Sequence, residues 1–243
     1  MTEAFALISA CDRFDWSLGS VGSIHKDVKI RLADWQEGGY HLTDSPYPRG
    51  ELIVGGPHVS SGYCGRLNET RENFFFDEKG TRWYKTGDIV ELNDQSGTLR
   101  IIDRKKDLVK MANGEFISLG KIESALKLDP FVENIFVCTR NSRTIAFVLP
   151  NVERITSLAA ELQVDCDLET VCSSESVRSR VMHSLCETAR MANLSPIETP
   201  KQIFLECNSW TPENGLVTAT LKIRRKQLEL FYQKTIDKFT LSK

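Results

Sequence analysis

The chain has 243 residues, of which 41% are hydrophobic and 26% are charged, and its formal net charge is −2. This composition is ordinary for a globular domain. The near-neutral charge argues against the generally basic surface of a nucleic-acid-binding protein, so no nucleic-acid partner is expected. No run approaches the roughly 18 apolar residues of a transmembrane helix. The seven cysteines are scattered without a C-x-x-C pair, which argues against a metal site or a disulfide framework and favours a reducing compartment.

The first half of the chain reads as short antiparallel strands joined by polar turns. Alternating or continuous apolar residues predict strands, and Gly, Pro, Asn and Asp clusters predict the turns between them. Thr86-Gly87-Asp88 is one such predicted turn, between two strands. The predicted strands cover residues 27–32, 51–54, 89–92 and 98–102, with one helical turn at 68–74.

The second half has a different pattern, in which helical and strand periods alternate. Ser118 can cap a helix that carries Ile122, Ala125 and Leu126 on one face, and serines at 174 and 176 resemble the start of another. In the closing helix, Leu228, Phe231, Tyr232, Ile236 and Phe239 are predicted to share the buried face. Strands are predicted at residues 134–138, 144–149 and 202–206, and helices at 152–163, 175–193 and 223–239.

The segment 83–123 combines an acidic turn with a basic run. Asp88 follows Thr86-Gly87, and a cluster of cations begins about 16 residues later at Arg104. A carboxylate can accept hydrogen bonds from a diol, and cations can bind phosphate. The segment therefore indicates a nucleotide site, although a solvated charge run and an ordinary turn aspartate are the plainer interpretations.

Four stretches in order resemble the acyl-adenylate-forming enzymes, which include acyl-CoA synthetases, luciferases and peptide-synthetase adenylation domains. The similarity covers essentially the whole chain. The sequence of residues 101–107 and 113–123 is most similar to the corresponding motif of the long-chain fatty acid–CoA ligases. The four stretches are Gly50-Glu51-Leu52 with Gly55 and Gly62-Tyr63; Tyr84-Lys85-Thr86-Gly87-Asp88; Asp103-Arg104-Lys105-Lys106-Asp107 through Lys110, Gly114-Glu115 and Ile122-Glu123; and Asn214-Gly215-Leu216-Val217-Thr218 to Lys222.

This resemblance implies an α+β fold in two parts. Residues 1–103 would be the end of a large N-terminal AMP-binding adenylation domain, built as a distorted antiparallel β-barrel. Residues 104–243 would be a small, mobile C-terminal α+β domain with a short sheet flanked by helices. Met1-Thr2-Glu3 resembles the tail of the family's Tyr-Gly-x-Thr-Glu motif, so we expect a C-terminal fragment whose glycine-rich phosphate loop lies upstream.

The resemblance also implies a reaction and its participants. A long-chain fatty acid attacks the α-phosphate of ATP, and CoA then takes the acyl group. Asp88 would bind the ribose of ATP, and Arg104 would bind the same ribose or a phosphate. Thr2 would lie near the α-phosphate, and Glu3 would ligate Mg²⁺.

Further roles follow for residues of the joint and of the smaller part. Lys222 would be the catalytic lysine, although Thr218-Ala219-Thr220 departs from the family's commoner Thr-Pro-Thr, and a surface charge run is the plainer interpretation. Asp103 or Lys106 would be the hinge. Lys110, Gly114 and Glu115 would face the site in the thioester-forming state.

Three alternatives stay open. The chain could be a non-catalytic module that binds nucleotide, CoA or a partner protein. It could be a peptide-synthetase adenylation domain, although only 21 residues follow Lys222 and no carrier motif is visible. It could also have a luciferase-like oxidative role. By family analogy we expect the isolated fragment to be inactive, and we expect membrane association only through an upstream segment. The same analogy places the enzyme at the endoplasmic reticulum, mitochondrial outer membrane or peroxisome.

Overall fold

The computed structural model describes residues 1–5, 7–13 and 19–238. These divide between two compact units, Met1–Leu108 and Val109–Lys243, and each unit is described by itself. Both strands and helices are abundant, so the predicted α+β class is confirmed. The functional assignment of residues 1–103 and 104–243 stays a prediction.

The first unit is built on a seven-stranded antiparallel sheet. Its strand order is β1-β2-β7-β6-β4-β3, and β5 pairs with β6. Apolar residues on one side of β4, β6 and β7, among them Leu52, Val90 and Leu99, form its main core. The elements are β1 (Ser9–Ala10), β2 (Ser20–Ile24), β3 (Lys29–Ala33), β4 (Arg49–Gly55), α1 (Leu67–Asn73), β5 (Phe74–Phe76), β6 (Arg82–Asn93) and β7 (Thr98–Arg104).

The predicted Thr-Gly-Asp turn is instead a bulge inside one long strand, β6. Ile53 of β4 pairs with Lys85, and Glu51 pairs with Ile89, so β6 has two more residues than β4 over this stretch. Gly87 takes a φ of 70°, a conformation that costs a glycine little. The prediction of a turn was wrong because pairing with β4 and β7 on both sides keeps the chain extended past the glycine.

The second unit has a three-stranded sheet with helices on both faces. β10 and β11 are antiparallel, and β12 is parallel to β11. A two-stranded sheet of β8 and β9 precedes it. The elements are β8 (Leu108–Lys110), β9 (Phe116–Ser118), α2 (Leu119–Leu126), β10 (Val132–Arg140), β11 (Arg143–Pro150), α3 (Val152–Glu161), α4 (Leu168–Ser173), α5 (Glu175–Met191), β12 (Gln202–Leu205) and α6 (Arg225–Lys238).

The second unit has two apolar cores, one on each face of its three-stranded sheet. Ile135 and Val137 face one side with residues of α2, α3, α4 and α5. Phe136 and Cys138 face the other side with residues of α6. Successive side chains of a strand point to opposite faces. Because helices cover both faces of this sheet, β10 and β11 need apolar residues at nearly every position.

Two sequence expectations about helices need correction. Phe231 was placed on the buried face of α6 but is 58% exposed, because its neighbour Tyr232 takes the core position and stacks on Phe147 at 4.0 Å. Ser174 precedes α5 but its side chain makes no capping hydrogen bond. Phe239 lies outside the described residues. Within the described part of the chain, no helix is both long and apolar enough to cross a bilayer.

Candidate functional site

The centre of the candidate site in the first unit is the ion pair between Asp88 and Arg104. The two residues are direct partners on β6 and β7, and Arg104 Nε donates to Asp88 Oδ1 at 2.7 Å. The Asp88 side chain is 11% exposed, whereas that of Arg104 is 64% exposed. The charge of Asp88 raises the pKa of the Arg104 guanidinium.

The bulge at Gly87 holds the Asp88 backbone in place. Thr86 Oγ1 donates to the carbonyl of Leu52 at 2.8 Å and accepts from the backbone N–H of Asp88 at 3.0 Å. These bonds occupy groups that the irregular pairing would otherwise leave without partners. The Thr-Gly-Asp sequence therefore holds the Asp88 carboxylate against the Arg104 guanidinium of the neighbouring strand.

A second polar group is formed by Glu3, Tyr63 and Tyr84. Tyr63 Oη donates to Glu3 Oε1 at 3.2 Å and lies 3.2 Å from Tyr84 Oη. Burial, then the bond to Tyr63 and the charge of Glu3, raise the pKa of Tyr84. Glu3 and Thr2 belong to a short 3-10 turn, in which Glu3 is half-buried and Thr2 is exposed.

Tyr84 connects this cluster with the ion pair. Tyr84 lies on β6, the strand that also carries Asp88. An ionised Tyr84 is among the groups that raise the pKa of Arg104. The structure thus brings Glu3, Tyr84, Asp88 and Arg104 into one region of the first unit. Sequence reasoning assigned no role to Tyr63, although Gly62-Tyr63 was part of the first family stretch.

The predicted hinge residues lie at the end of β7. Asp103 is half-buried and its Oδ1 accepts from the backbone N–H of Arg104 at 2.8 Å. Lys106 is exposed in a 3-10 turn, Lys105–Asp107. It lines a cleft of about 440 Å³ together with Tyr63, Arg66 and two glutamates. Between them, Lys105 pairs with buried Glu51 at 2.9 Å.

The remaining predicted site residues belong to the second unit. Lys110 ends β8, and its Nζ lies 5.7 Å from the ring centre of Phe116. Gly114 and Glu115 are exposed in the turn before β9, where Gly114 has a φ of 87° and donates to the Met111 carbonyl at 2.9 Å. A Cβ at Gly114 would meet no atom within 4 Å, so this backbone is open to a ligand.

Lys222 follows a tight turn in the second unit. Its backbone N–H donates to Thr218 Oγ1 at 3.2 Å, and its carbonyl accepts from the Thr218 N–H at 2.8 Å. Leu221 at the turn has a φ of 59°. The Lys222 side chain is exposed, and no hydrogen bond of its ammonium to another described residue is seen.

A buried ion pair that sequence reasoning did not predict connects α2 and α6. Arg225 Nη2 donates to Glu123 Oε2 at 2.8 Å, and the side chains are 19% and 12% exposed. Both side chains also bond the backbone of Val137 on β10. Glu123 was part of the third family stretch, but its partner lies 102 residues away and left no local signal.

Comparison with known proteins shows which enzymes the chain resembles. The chain is 39% identical over 241 residues to long chain acyl-CoA synthetase 8 of Arabidopsis thaliana, covering 98% of this chain and 33% of that protein. It is 38% identical to long-chain-fatty-acid–CoA ligase 1 of Schizosaccharomyces pombe, with 94% and 33% covered. The chain is homologous to the long-chain acyl-CoA synthetases. A further relative, the peroxisomal long chain acyl-CoA synthetase 7 of Arabidopsis thaliana, is 36% identical, with 98% and 34% covered.

This acyl-CoA synthetase homologue spans about a third of the length of the relatives that it matches. No family model matches it. Its fold matches the adenylation domain of a carboxylate reductase from Mycobacterium chelonae with a TM-score of 0.76 and 30% identity, covering 91% of this chain and 32% of that one.

A second solved structure is the adenylation domain of the carboxylic acid reductase from Segniliparus rugosus, in complex with AMP and a co-purified carboxylic acid. Its TM-score is 0.75 at 32% identity, with 90% of this chain and 32% of that chain covered. The predicted resemblance to the long-chain acyl-CoA synthetases and the predicted adenylation-domain fold are therefore confirmed.

Proposed function

We propose that this chain is part of a long-chain fatty acid–CoA ligase. The enzyme joins a fatty acid to the α-phosphate of ATP, releasing pyrophosphate, and then transfers the acyl group from AMP to the thiol of CoA. The products are acyl-CoA, AMP and pyrophosphate. The observation that carries the proposal is the Asp88–Arg104 pair at the β6 bulge, in a chain similar over 98% of its length to a long chain acyl-CoA synthetase.

The ion pair suits a ribose site. An ionised carboxylate has about four lone-pair positions on its two oxygens, and Arg104 Nε takes one of them on Oδ1. Asp88 therefore retains acceptor capacity for the two vicinal hydroxyls of a ribose. The exposed guanidinium of Arg104 has further N–H donors for the ribose or a phosphate.

Glu3 is the proposed Mg²⁺ ligand, and Thr2 lies beside it for the α-phosphate. Among the described residues, no three acidic, histidine or cysteine side chains converge on a metal site. Mg²⁺ in nucleotide-dependent enzymes is typically held by one or two carboxylates and by the substrate phosphates, so a single half-buried carboxylate fits. The ion would supply positive charge for the phosphates.

The second unit would contribute different residues to the two half-reactions. The Lys222 ammonium would stabilise the negative charge that develops at the α-phosphate during adenylation. Lys110, Glu115 and the open backbone at Gly114 would face CoA during thioester formation. Asp103, near the end of β7, or Lys106, in the turn that follows it, would be the hinge between the two states.

The test uses a chimera in which this chain replaces the matching third of long chain acyl-CoA synthetase 8 of Arabidopsis thaliana. The measurement is ATP–pyrophosphate exchange with a long-chain fatty acid. In this chimera we expect Asp88→Asn to raise the KM for ATP about tenfold, the loss of one charge-assisted hydrogen bond. Asp94→Asn, a change in the exposed turn of the same β6–β7 hairpin, should leave the KM unchanged. Equal effects of the two changes would contradict the ribose assignment.

Lys222→Ala separates the half-reactions in the same chimera. We expect slow adenylation but nearly normal thioester formation from supplied acyl-adenylate. A chimera that folds and binds nucleotide without exchanging pyrophosphate would instead favour a non-catalytic nucleotide- or CoA-binding module. A long-chain fatty acid, ATP and CoA are the proposed substrates, and the peroxisome is one proposed location because two relatives are named peroxisomal.

A further inference from the structure

The outward side of α6 carries two large apolar side chains that the core does not use. Leu230 is 67% exposed and Phe231 is 58% exposed. The inward side of the helix is already fixed in the second core of this unit through Leu228, Tyr232 and Ile236. The two outward residues therefore contribute little to this core.

Three lysines surround these two residues. Lys226, Lys234 and Lys238 are all exposed, and at 3.6 residues per turn they share the outward side of the helix with Leu230 and Phe231. Each lysine can extend its ammonium away from an apolar surface while its stem stays against it.

The acidic residues of α6 do not cancel this positive charge. Glu229 and Asp237 are both half-buried. Asp237 is paired with Arg140 of β10 at 2.8 Å and also accepts from the Gln233 amide at 3.3 Å. The outward side of α6 is therefore apolar at its centre and cationic around it.

We propose that the outward side of α6 docks on an anionic lipid bilayer. Leu230 and Phe231 would enter the headgroup region, and the lysines would contact lipid phosphates and carboxylates. Helices that bind at membrane surfaces combine large apolar side chains with lysines that contact anionic lipids, and the outward side of α6 presents both. Two apolar side chains are few for a protein interface, which buries roughly 800 Å² on each partner. This proposal replaces the expectation that only an upstream segment contacts a membrane, and it does not depend on the ligase assignment.

The experiment is co-sedimentation of the 243-residue chain with lipid vesicles. We expect binding to phosphatidylcholine vesicles that contain about 30% phosphatidylserine, and much weaker binding to phosphatidylcholine alone, since each lysine near an anionic surface gains roughly a fivefold preference. Lys226→Gln with Lys234→Gln should weaken binding roughly 25-fold on the same basis. Leu230→Ser with Phe231→Ser should weaken it at least about tenfold, because partitioning of apolar surface is lost.

Matched controls lie elsewhere in the same unit. Leu128→Ser alters an apolar side chain that is 81% exposed, and Lys201→Gln removes an exposed cation; neither should change binding. Circular dichroism checks that each variant is folded. The proposal is overturned if the chain does not bind the anionic vesicles, if it binds both vesicle types equally, or if the Leu230/Phe231 variant binds normally. Loss of self-association in that variant without vesicle binding would instead identify an interface between copies.

Discussion

At the scale of single residues, the buried Glu123–Arg225 pair is expected to contribute strongly to the stability of the second unit. The guanidinium donates to the Glu123 carboxylate and, at 2.9 Å, to the Val137 carbonyl, while the other carboxylate oxygen accepts from the Val137 N–H at 2.8 Å. Two helices and a strand thus meet at one charged contact. Removing one partner of such a pair leaves the other charge desolvated, which costs about 3–5 kcal/mol.

Arg225→Met should therefore destabilise the second unit by about 3 kcal/mol, at the lower end of that range because both groups keep some exposure. The measurement is native-state hydrogen exchange of peptides from β10 and α6, which we expect to accelerate about 100-fold. Arg140→Met is the control, since its partner Asp237 is 46% exposed and such a pair contributes at most about 1 kcal/mol. Similar acceleration in both variants would contradict the proposed cost of burial.

At the scale of elements, the helices of the second unit begin with caps that differ in quality. Ser118 Oγ accepts from the Lys121 N–H at 3.2 Å at the start of α2, and Asn151 makes the equivalent bond for α3. Ser174, at the same position before α5, bonds the Ser176 hydroxyl instead. The same residue type therefore stabilises one helix end directly and not the other.

Ser118→Ala should lower the free energy of unfolding by about 1 kcal/mol, the usual contribution of an N-cap. Ser174→Ala should change the free energy of unfolding by only a few tenths of a kcal/mol. Calorimetry of the two variants should show a Tm lowered by roughly 3 °C for the first and nearly unchanged for the second. Equal shifts would show that capping does not account for the difference.

Sequence alone predicted most elements of both units but not their irregular points. The Ser118 cap and the strands at residues 134–138 and 144–149 follow from local residue types. The bulge at Gly87 does not, because it depends on pairing with strands that are distant in sequence. Nor can periodicity choose between neighbours such as Phe231 and Tyr232, since the choice depends on the stacking of Tyr232 on Phe147.

The same distinction applies to the candidate site. The family stretches predicted Asp88 and Arg104, and the β6–β7 register places them in contact. Tyr63 and Arg225 were missed because their partners, Glu3 and Glu123, lie 60 and 102 residues away. Contacts at that separation are determined by tertiary packing and leave no periodic signal in the sequence.

At the scale of the whole molecule, each unit has its own apolar cores. The described clusters of buried residues all fall within one unit or the other. In the second unit, Phe147 is 1% exposed and stacks against Tyr232 and Phe204 at 4.0 and 5.0 Å. A cavity at Phe147 should destabilise mainly the elements that pack in this core.

Phe147→Ala should cost about 3–5 kcal/mol in the second unit. We expect hydrogen exchange to accelerate strongly in β10, β11 and α6, while β4 and β6 of the first unit keep their protection. Phe231→Ala, at an exposed position in the same unit, should change neither. Loss of protection in β4 and β6 of the Phe147 variant would show that the two units unfold together.

The β6–β7 hairpin also limits where the length of the chain can vary. Its pairing begins beside the turn at Asn93 and Thr98 and ends at Asp88 and Arg104. A residue inserted in the turn leaves that ladder intact. A residue inserted or deleted between Leu99 and Ile101, where the pairing with β6 is regular, reverses the face of every side chain beyond it and carries Arg104 away from its carboxylate. Alignment gaps among homologues should therefore fall in the turn and spare the strands.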